Sequence, residues 1–297
     1  MTYDSIIIGG GISGLSGAMY AGRLNLRTLV FTEMPGGLIT TTHIVENWPG
    51  IVSISGPDLA MKLQEHARKS DAEMKNEKVN SVVKNGDLYD VITSSGTYQA
   101  KTILFATGTE HRKLGAPGEE EFQNKGVSYC ALCDGAFYKG KVVSVVGGGD
   151  SAAKEALLLS QFASKVYMIV RKDVLRAEPR NLNLIEKNNK IKILFKTEIA
   201  EVVGDGKVTK IKLKNGEEMD MDGVFVAIGH TAQTDLAKGL GVELNEKGEI
   251  KVNRHAETNL PGVFAAGDCV DDEFKQAIVG SAEAVVAAFY AYKYIKG

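Results

Sequence analysis

Ser5-Ile6-Ile7-Ile8-Gly9-Gly10-Gly11-Ile12-Ser13-Gly14 is a short β-rich run that breaks into glycines, and Leu15 to Arg23 beyond it has helical character. A second strand, Thr28 to Phe31, follows at once. Strand, glycine turn, helix, strand is the context in which a G-x-G-x-x-G spacing reads as a dinucleotide fingerprint. Gly9 permits the sharp turn, and Gly11 lets the backbone approach a pyrophosphate. Gly14 lets the helix pack on the strand while its N-terminal N–H groups face the phosphates.

The pattern recurs. Lys141 to Val146 is a strand, Gly147-Gly148-Gly149-Asp150-Ser151-Ala152 the turn, and Val166 to Val170 the next strand. Gly147, Gly149 and Ala152 take the three fingerprint roles, and Asp150 and Ser151 in the same turn are counted with them in the second nucleotide site. Each copy is followed by a hairpin-like stretch, Val79 to Tyr98 and Ile199 to Glu217, and then by a glycine-terminated strand, Ile103 to Gly108 and Val224 to Gly229. Gly9 and Gly108 are 99 residues apart, Gly147 and Gly229 82, so the first copy carries 17 more residues, assigned mostly to the Met34 to Pro57 loop. Val263 to Asp268 reads as one more strand ending at a turn, and Ser281 to Tyr294 as a closing amphipathic helix.

A chain of 297 residues with 44% hydrophobic composition exceeds what one core usually fills, so two domains are expected. With 35 basic and 37 acidic residues the net charge is -2, against the basic surface of a nucleic-acid binder. No basic region precedes the first apolar run, and no segment approaches the ~18 to 20 apolar residues of a membrane span. A soluble, cytoplasmic protein with small-molecule or protein partners is the expectation. Three cysteines are too few for a secreted disulfide framework.

The copies differ in charge where ribose recognition is expected, about 20 residues past the turn. Glu33 suits a free ribose hydroxyl, as in FAD or NAD. Arg171 and Lys172, joined by Arg176, suit the 2′-phosphate of NADP, unless they are simply a solvated charged loop. Cys130-Ala131-Leu132-Cys133 is the sharpest feature, because two intervening residues allow a readily reduced disulfide and a thiolate of lowered pKa. Asp134 follows directly and is placed to move protons. No second ligand pair stands at metal spacing, so no metal is expected. Cys269 reads as a buried small residue, and His43, His66, His111, His230 and His255 as surface or satisfied histidines. Glu46-Asn47-Trp48-Pro49-Gly50 looks like an ordered loop able to cover a cofactor.

The order of first fingerprint, Cys-x-x-Cys-Asp, second fingerprint and Ala266-Gly267-Asp268 resembles the low-molecular-weight thioredoxin reductases over nearly the whole chain. Gly36 to Thr42, Val45 to Gly50, Ala106-Thr107-Gly108 and Lys275-Gln276-Ala277 strengthen the likeness. The resemblance implies an α/β fold of two Rossmann-like domains with parallel sheets, the second inserted in the first. The FAD domain would be residues 1–112 and 241–297, and the NAD(P)H domain 113–240. Gly9, Gly11, Gly14, Gly36, Gly37, Asn47, Val79, Gly108, Asp268, Gln276 and Ala277, with Glu33, would line the FAD site. Asp268 would reach the ribityl or phosphate region.

The resemblance also implies that NADPH reduces FAD, that the flavin reduces the Cys130–Cys133 disulfide with Cys133 facing it, and that Cys130 attacks a thioredoxin-like protein. It further implies a homodimer and a domain that rotates on a hinge near Arg112 to Gly118 and Gly241. Three positions depart from the family pattern: Leu38 for Gln, Lys275 for Arg, and Val170-Arg171-Lys172 for His-Arg-Arg. The three retained cations favour NADPH over NADH. A reductase with another donor, NADH or ferredoxin, and a flavoprotein redox sensor without turnover are the rival readings.

Overall fold

A computed structural model of the chain describes residues 2–42 and 44–297. His43, counted above among the scattered histidines, lies outside the described residues. The chain divides into two compact units, Met1–Glu110 with Ala232–Gly297, and His111–Thr231.

In the first unit, strand β1 (Thr2–Ile8) lies between β2 (Thr28–Thr32) and β6 (Thr97–Phe105), all parallel. Beyond β2 lies β3 (Glu73–Asn76), also parallel. The other edge of β6 is divided: its start pairs antiparallel with β5 (Leu88–Thr93), followed by β4 (Val79–Asn85), and its end pairs parallel with β17 (Val263–Ala265). The run Ile6-Ile7-Ile8 is apolar without alternation because both faces are covered. On one face Ile7, Val30, Leu104 and Phe264 pack against helices α1 (Ile12–Arg23) and α7 (Ala277–Lys296). On the other, Ile6, Ile8, Phe31 and Phe105 form a core with Tyr89, Val91, Val242 and Ile250. Helix α2 (Gly56–Lys69) starts at Ser55, whose hydroxyl accepts from Asp58 N–H. Small residues carry the α1–α7 seam, where a Cβ at Gly17 would sit 3.4 Å from that of Ala284 and the Ser16 and Ser281 hydroxyls are 2.9 Å apart.

The second unit is a parallel sheet in the order β11 (Ile191–Phe195), β10 (Lys165–Val170), β9 (Val142–Val146), β15 (Gly223–Val226), β8 (Val127–Ser128). Helices α4 (Asp150–Phe162), α5 (Pro179–Glu186) and the short α3 (Ala131–Asp134) share one core with Val143, Val145, Met168 and Phe225. The opposite face is covered by an antiparallel sheet of β12 (Ile199–Gly204), β13 (Val208–Leu213) and β14 (Glu218–Asp220). Two connecting strands, β7 (Thr109–His111) and β16 (His230–Ala232), pair with each other.

The expected α/β architecture of two Rossmann-like sheets is what the chain forms. The return to the first unit falls at Ala232 rather than after residue 240. Helix α6 (Asp235–Leu240) explains the shift: Ala237 is fully buried in the core that holds Val79 and Val82. The closing helix runs from Ala277 to Lys296, longer than Ser281 to Tyr294, since Ala277 at its start and Ile295 near its end also pack on the first unit's core. No helix among the described residues is long and apolar enough to cross a membrane.

Candidate active site

The two glycine turns are built on the same plan. Gly9 has φ +114° and Gly147 φ +148°, and a Cβ would lie 2.1 Å from the Ala106 carbonyl oxygen in one and 2.2 Å from that of Ala227 in the other. A Cβ on Gly14 would lie 1.8 Å from the Gly9 carbonyl oxygen, while Ala152, in the same role, has its methyl fully buried. Backbone conformation and packing therefore demand small residues at the first and third positions. The middle positions differ. Gly11 and Gly149 are the extended residues before α1 and α4, at φ -77° and -93°. A Cβ on Gly11 would make ordinary contact at 3.7 Å, and one on Gly149 would touch nothing. Nothing among the described residues requires glycine there, which fits a nucleotide occupying that space.

The likeness extends to the segment lying across each turn. In the first copy Gly36 N–H donates to the Gly10 carbonyl at 2.8 Å and Gly36 bridges Gly11; in the second, Arg176 N–H donates to the Gly148 carbonyl at 2.7 Å and Arg176 bridges Gly149. Gly36 and Arg176 are thus equivalent, a cation standing where the first copy has a left-handed glycine at φ +94°. Gly37 is also left-handed, and its Cβ would come 2.8 Å from Gly11 Cα.

Of the remaining residues assigned to the first nucleotide, Asn47 Nδ2 donates to Gln276 Oε1 at 2.9 Å, joining the Trp48 loop to the start of α7, where Ala277 packs with Ile12. Gly108 is left-handed at φ +65° with open space beside it. Asp268 follows β17, its carboxyl pushed up by burial, with Lys275 pulling the other way. Lys275 Nζ donates to the Asp268 and Val270 carbonyls at 2.9 and 2.7 Å. Glu33, just past β2, is exposed and 3.7 Å from Lys78. Val79 is 5% exposed in the core, so its side chain is spent on packing.

In the second copy Arg171, Lys172 and Arg176 are exposed, and Ser151 is exposed in the first turn of α4. The Asp150 carboxylate is already engaged, accepting from Glu178 N–H and Asn181 Nδ2 at 2.8 Å each and from Lys154 at 2.8 Å. It holds the segment after Arg176 in place.

Cys130 and Cys133 form a disulfide at the N-terminus of α3, Cys130 half-buried and Cys133 exposed. Cys133 N–H donates to Cys130 Sγ at 3.1 Å, and Cys130 N–H is held by Ser128 Oγ at 3.0 Å. Asp134, half-buried, follows on the same turn. Cys269 is fully buried, its thiol pushed up by burial and directed at the Ala266 carbonyl, as a packing residue should be. No group of three His, Cys, Asp or Glu suited to a metal occurs among the described residues.

Sequence spacing missed three features. His111 and His230 lie with ring centroids 4.7 Å apart, tilted at 45°, because β7 pairs with β16, so two of the scattered histidines are neighbours. Burial lowers both pKa values. Glu119, 2% exposed, accepts from Leu114 N–H, Gly115 N–H and Tyr129 OH at 2.6, 2.6 and 2.7 Å. Glu283 accepts from Gly267 N–H at 2.7 Å.

Residues 3–284 match the family model described as pyridine nucleotide-disulphide oxidoreductase. The chain is 43% identical to a thioredoxin reductase of Mycolicibacterium smegmatis, over 99% of this chain and 96% of that protein. It is 41% identical to one of Listeria innocua, over 99% and 94%. The crystal structure of Lactococcus lactis thioredoxin reductase superposes with a TM-score of 0.95 at 37% identity, covering 99% of both chains. The chain therefore belongs to the pyridine nucleotide-disulphide oxidoreductase family.

Proposed function

We propose that the chain is a thioredoxin-disulfide reductase that binds FAD in the first unit and NADPH in the second, and cycles the Cys130–Cys133 pair. The observation that carries this reading is a formed Cys-x-x-Cys disulfide in a unit whose sheet also presents a glycine turn with unfilled space at Gly149. FAD, when bound, would supply the two-electron carrier between the nicotinamide and the disulfide. Gly9, Gly11, Gly14, Gly36, Gly37, Gly108 and Asp268, with Asn47, Gln276 and Ala277 beside them, would hold it. Glu33 would meet the adenosine ribose. Gly147, Gly149 and the α4 N-terminus would hold the pyrophosphate of NADPH, with Arg171, Lys172 and Arg176 on its 2′-phosphate.

Reduction breaks one S–S bond and requires two protons for the two thiols. Asp134, next to Cys133, is the carboxyl placed to deliver one of them. Cys130 keeps the Cys133 N–H as a donor to its sulfur, an interaction that favours thiolate over thiol. Cys130 is accordingly the nucleophile toward the acceptor disulfide, and Cys133 resolves the mixed disulfide and receives electrons from the flavin side. Thioredoxin as acceptor, a homodimer and a cytoplasmic setting complete the reading on family likeness.

The test is turnover of the purified yellow protein with NADPH or NADH and a thioredoxin acceptor. We expect Cys130→Ser to lose thioredoxin reduction by on the order of a thousandfold or more while NADPH still bleaches the flavin. Unchanged thioredoxin turnover in that variant would falsify the disulfide route.

A further inference from the structure

Gly267, Asp268, Asp272, Lys275, Gln276 and Glu283 line one recess beside the end of β17. Space around its floor is tight. A Cβ at Gly267 would lie 2.3 Å from Ser13 Oγ, and one at Gly280 would lie 2.5 Å from the same oxygen and 2.9 Å from Gly267 Cα. The Gly267–Asp268 turn, the first turn of α1 and the first turns of α7 therefore meet backbone to backbone. Glu283, just under two turns into α7, tethers this junction by accepting from Gly267 N–H at 2.7 Å. Its carboxyl is also within hydrogen-bonding reach of Asp272, which itself accepts from Phe274 N–H at 2.9 Å.

Two carboxyl groups hydrogen-bond to each other only when one carries a proton. Protonated, Glu283 makes two bonds, accepting from Gly267 and donating to Asp272. Ionised, it keeps one and faces the charges of Asp272 and Asp268. Lys275 is the facing cation, and its Nζ is held by Glu249 at 2.7 Å and by the Asp268 and Val270 carbonyls. The α1 residues packed here, Ile12 to Gly22, carry no charged side chain. Burial foremost, with Asp272 and Asp268 adding, pushes the Glu283 carboxyl up to about 7, against the lowering effect of the Gly267 N–H.

We propose that Glu283 is a positioning residue of the flavin site that works as the neutral acid, fixing the Gly267–Asp268 turn and taking up a proton when flavin is seated. The inference rests on the FAD assignment above. A flavin covering the recess excludes water and so favours the neutral form further. The pKa of Glu283 is then higher in the complex than in the free protein. Affinity is full below about pH 7 and falls as pH rises, by up to about tenfold per pH unit until the pKa of the complex is passed.

Calorimetric titration of the apoprotein with FAD near pH 7, in two buffers of different ionisation enthalpy, measures the proton uptake directly. The wild-type chain should take up protons, and its affinity should weaken between about pH 6 and about pH 8. Glu283→Gln supplies an acceptor for Gly267 and a donor for Asp272 without titrating. It should take up none and bind equally at both pH values, while Glu283→Ala binds more weakly at both. Equal proton uptake by wild type and Glu283→Gln, or a pH-independent wild-type affinity, overturns the proposal with the FAD assignment intact. A wild-type chain that binds no FAD overturns both.

Discussion

Gly147 and Gly149 are two residues apart, yet the structure assigns them different reasons for being glycine. At Gly147 the backbone is left-handed and a Cβ would collide with the Ala227 carbonyl, so the protein itself excludes a side chain. At Gly149 φ is ordinary and the space is open. Alanine should separate the two. Gly147→Ala is expected to destabilise the fold by about 2 kcal/mol or more, through strain and collision together. Gly149→Ala should leave denaturant stability within about 0.5 kcal/mol of wild type while weakening pyridine nucleotide binding. Urea unfolding paired with nucleotide titration of both variants checks this. Comparable loss of stability in Gly149→Ala would mean that glycine serves the fold there too. The roles of Gly9, Gly14 and Gly147 were legible in the sequence because they follow from local geometry. The engagement of Asp150 with Glu178 and Asn181 was not, since its partners depend on how the segment beyond β10 returns to the turn.

Helix α4 shows what an element can carry beyond its motif. Ala152, Glu155, Leu159 and Phe162 recur at three- and four-residue steps and so share a face, and Gly135 lies against the Leu159 and Phe162 end of it. An apolar residue would be ordinary at position 155. Glu155 instead has a buried Oε2 without a hydrogen-bond partner among the described residues, and burial pushes its carboxyl up to about 8. The folded pKa is raised above the ordinary 4.5, so the folded state holds a proton that the unfolded chain gives up. The associated stability is fully present below pH 4.5 and is lost as pH rises through about 8. Glu155→Gln removes that dependence. It is expected to be more stable than wild type at pH 8 by on the order of 1 kcal/mol, with the difference shrinking toward pH 5, as followed by urea unfolding at each pH. A constant difference across that range would show that Glu155 does not titrate on unfolding.

At the scale of the whole molecule, the sequence displays its duplication because each copy builds the same strand, turn and helix from local backbone geometry. Contacts between distant segments are what it conceals. The His111–His230 ring contact and the packing of α6 in the first unit both join segments more than a hundred residues apart in the chain. Equivalence of the two turns also sharpens the reading of charge: Glu33 and Gly36 in one copy correspond to a loop bearing Arg171, Lys172 and Arg176 in the other. A net charge of -2 gives no general attraction for anions, so on the proposed reading a preference for a phosphorylated coenzyme would rest on these three cations. Each charge-assisted bond to a phosphate contributes about 1.5 to 3 kcal/mol. Arg176→Ala combined with Arg171→Ala should therefore raise KM for NADPH by roughly a hundredfold or more, with kcat and KM for NADH nearly unchanged. Steady-state kinetics with both coenzymes distinguishes a 2′-phosphate clamp from a solvated loop. Equal losses with NADPH and NADH would place these side chains on the shared pyrophosphate or in the fold, and would remove the argument for coenzyme choice.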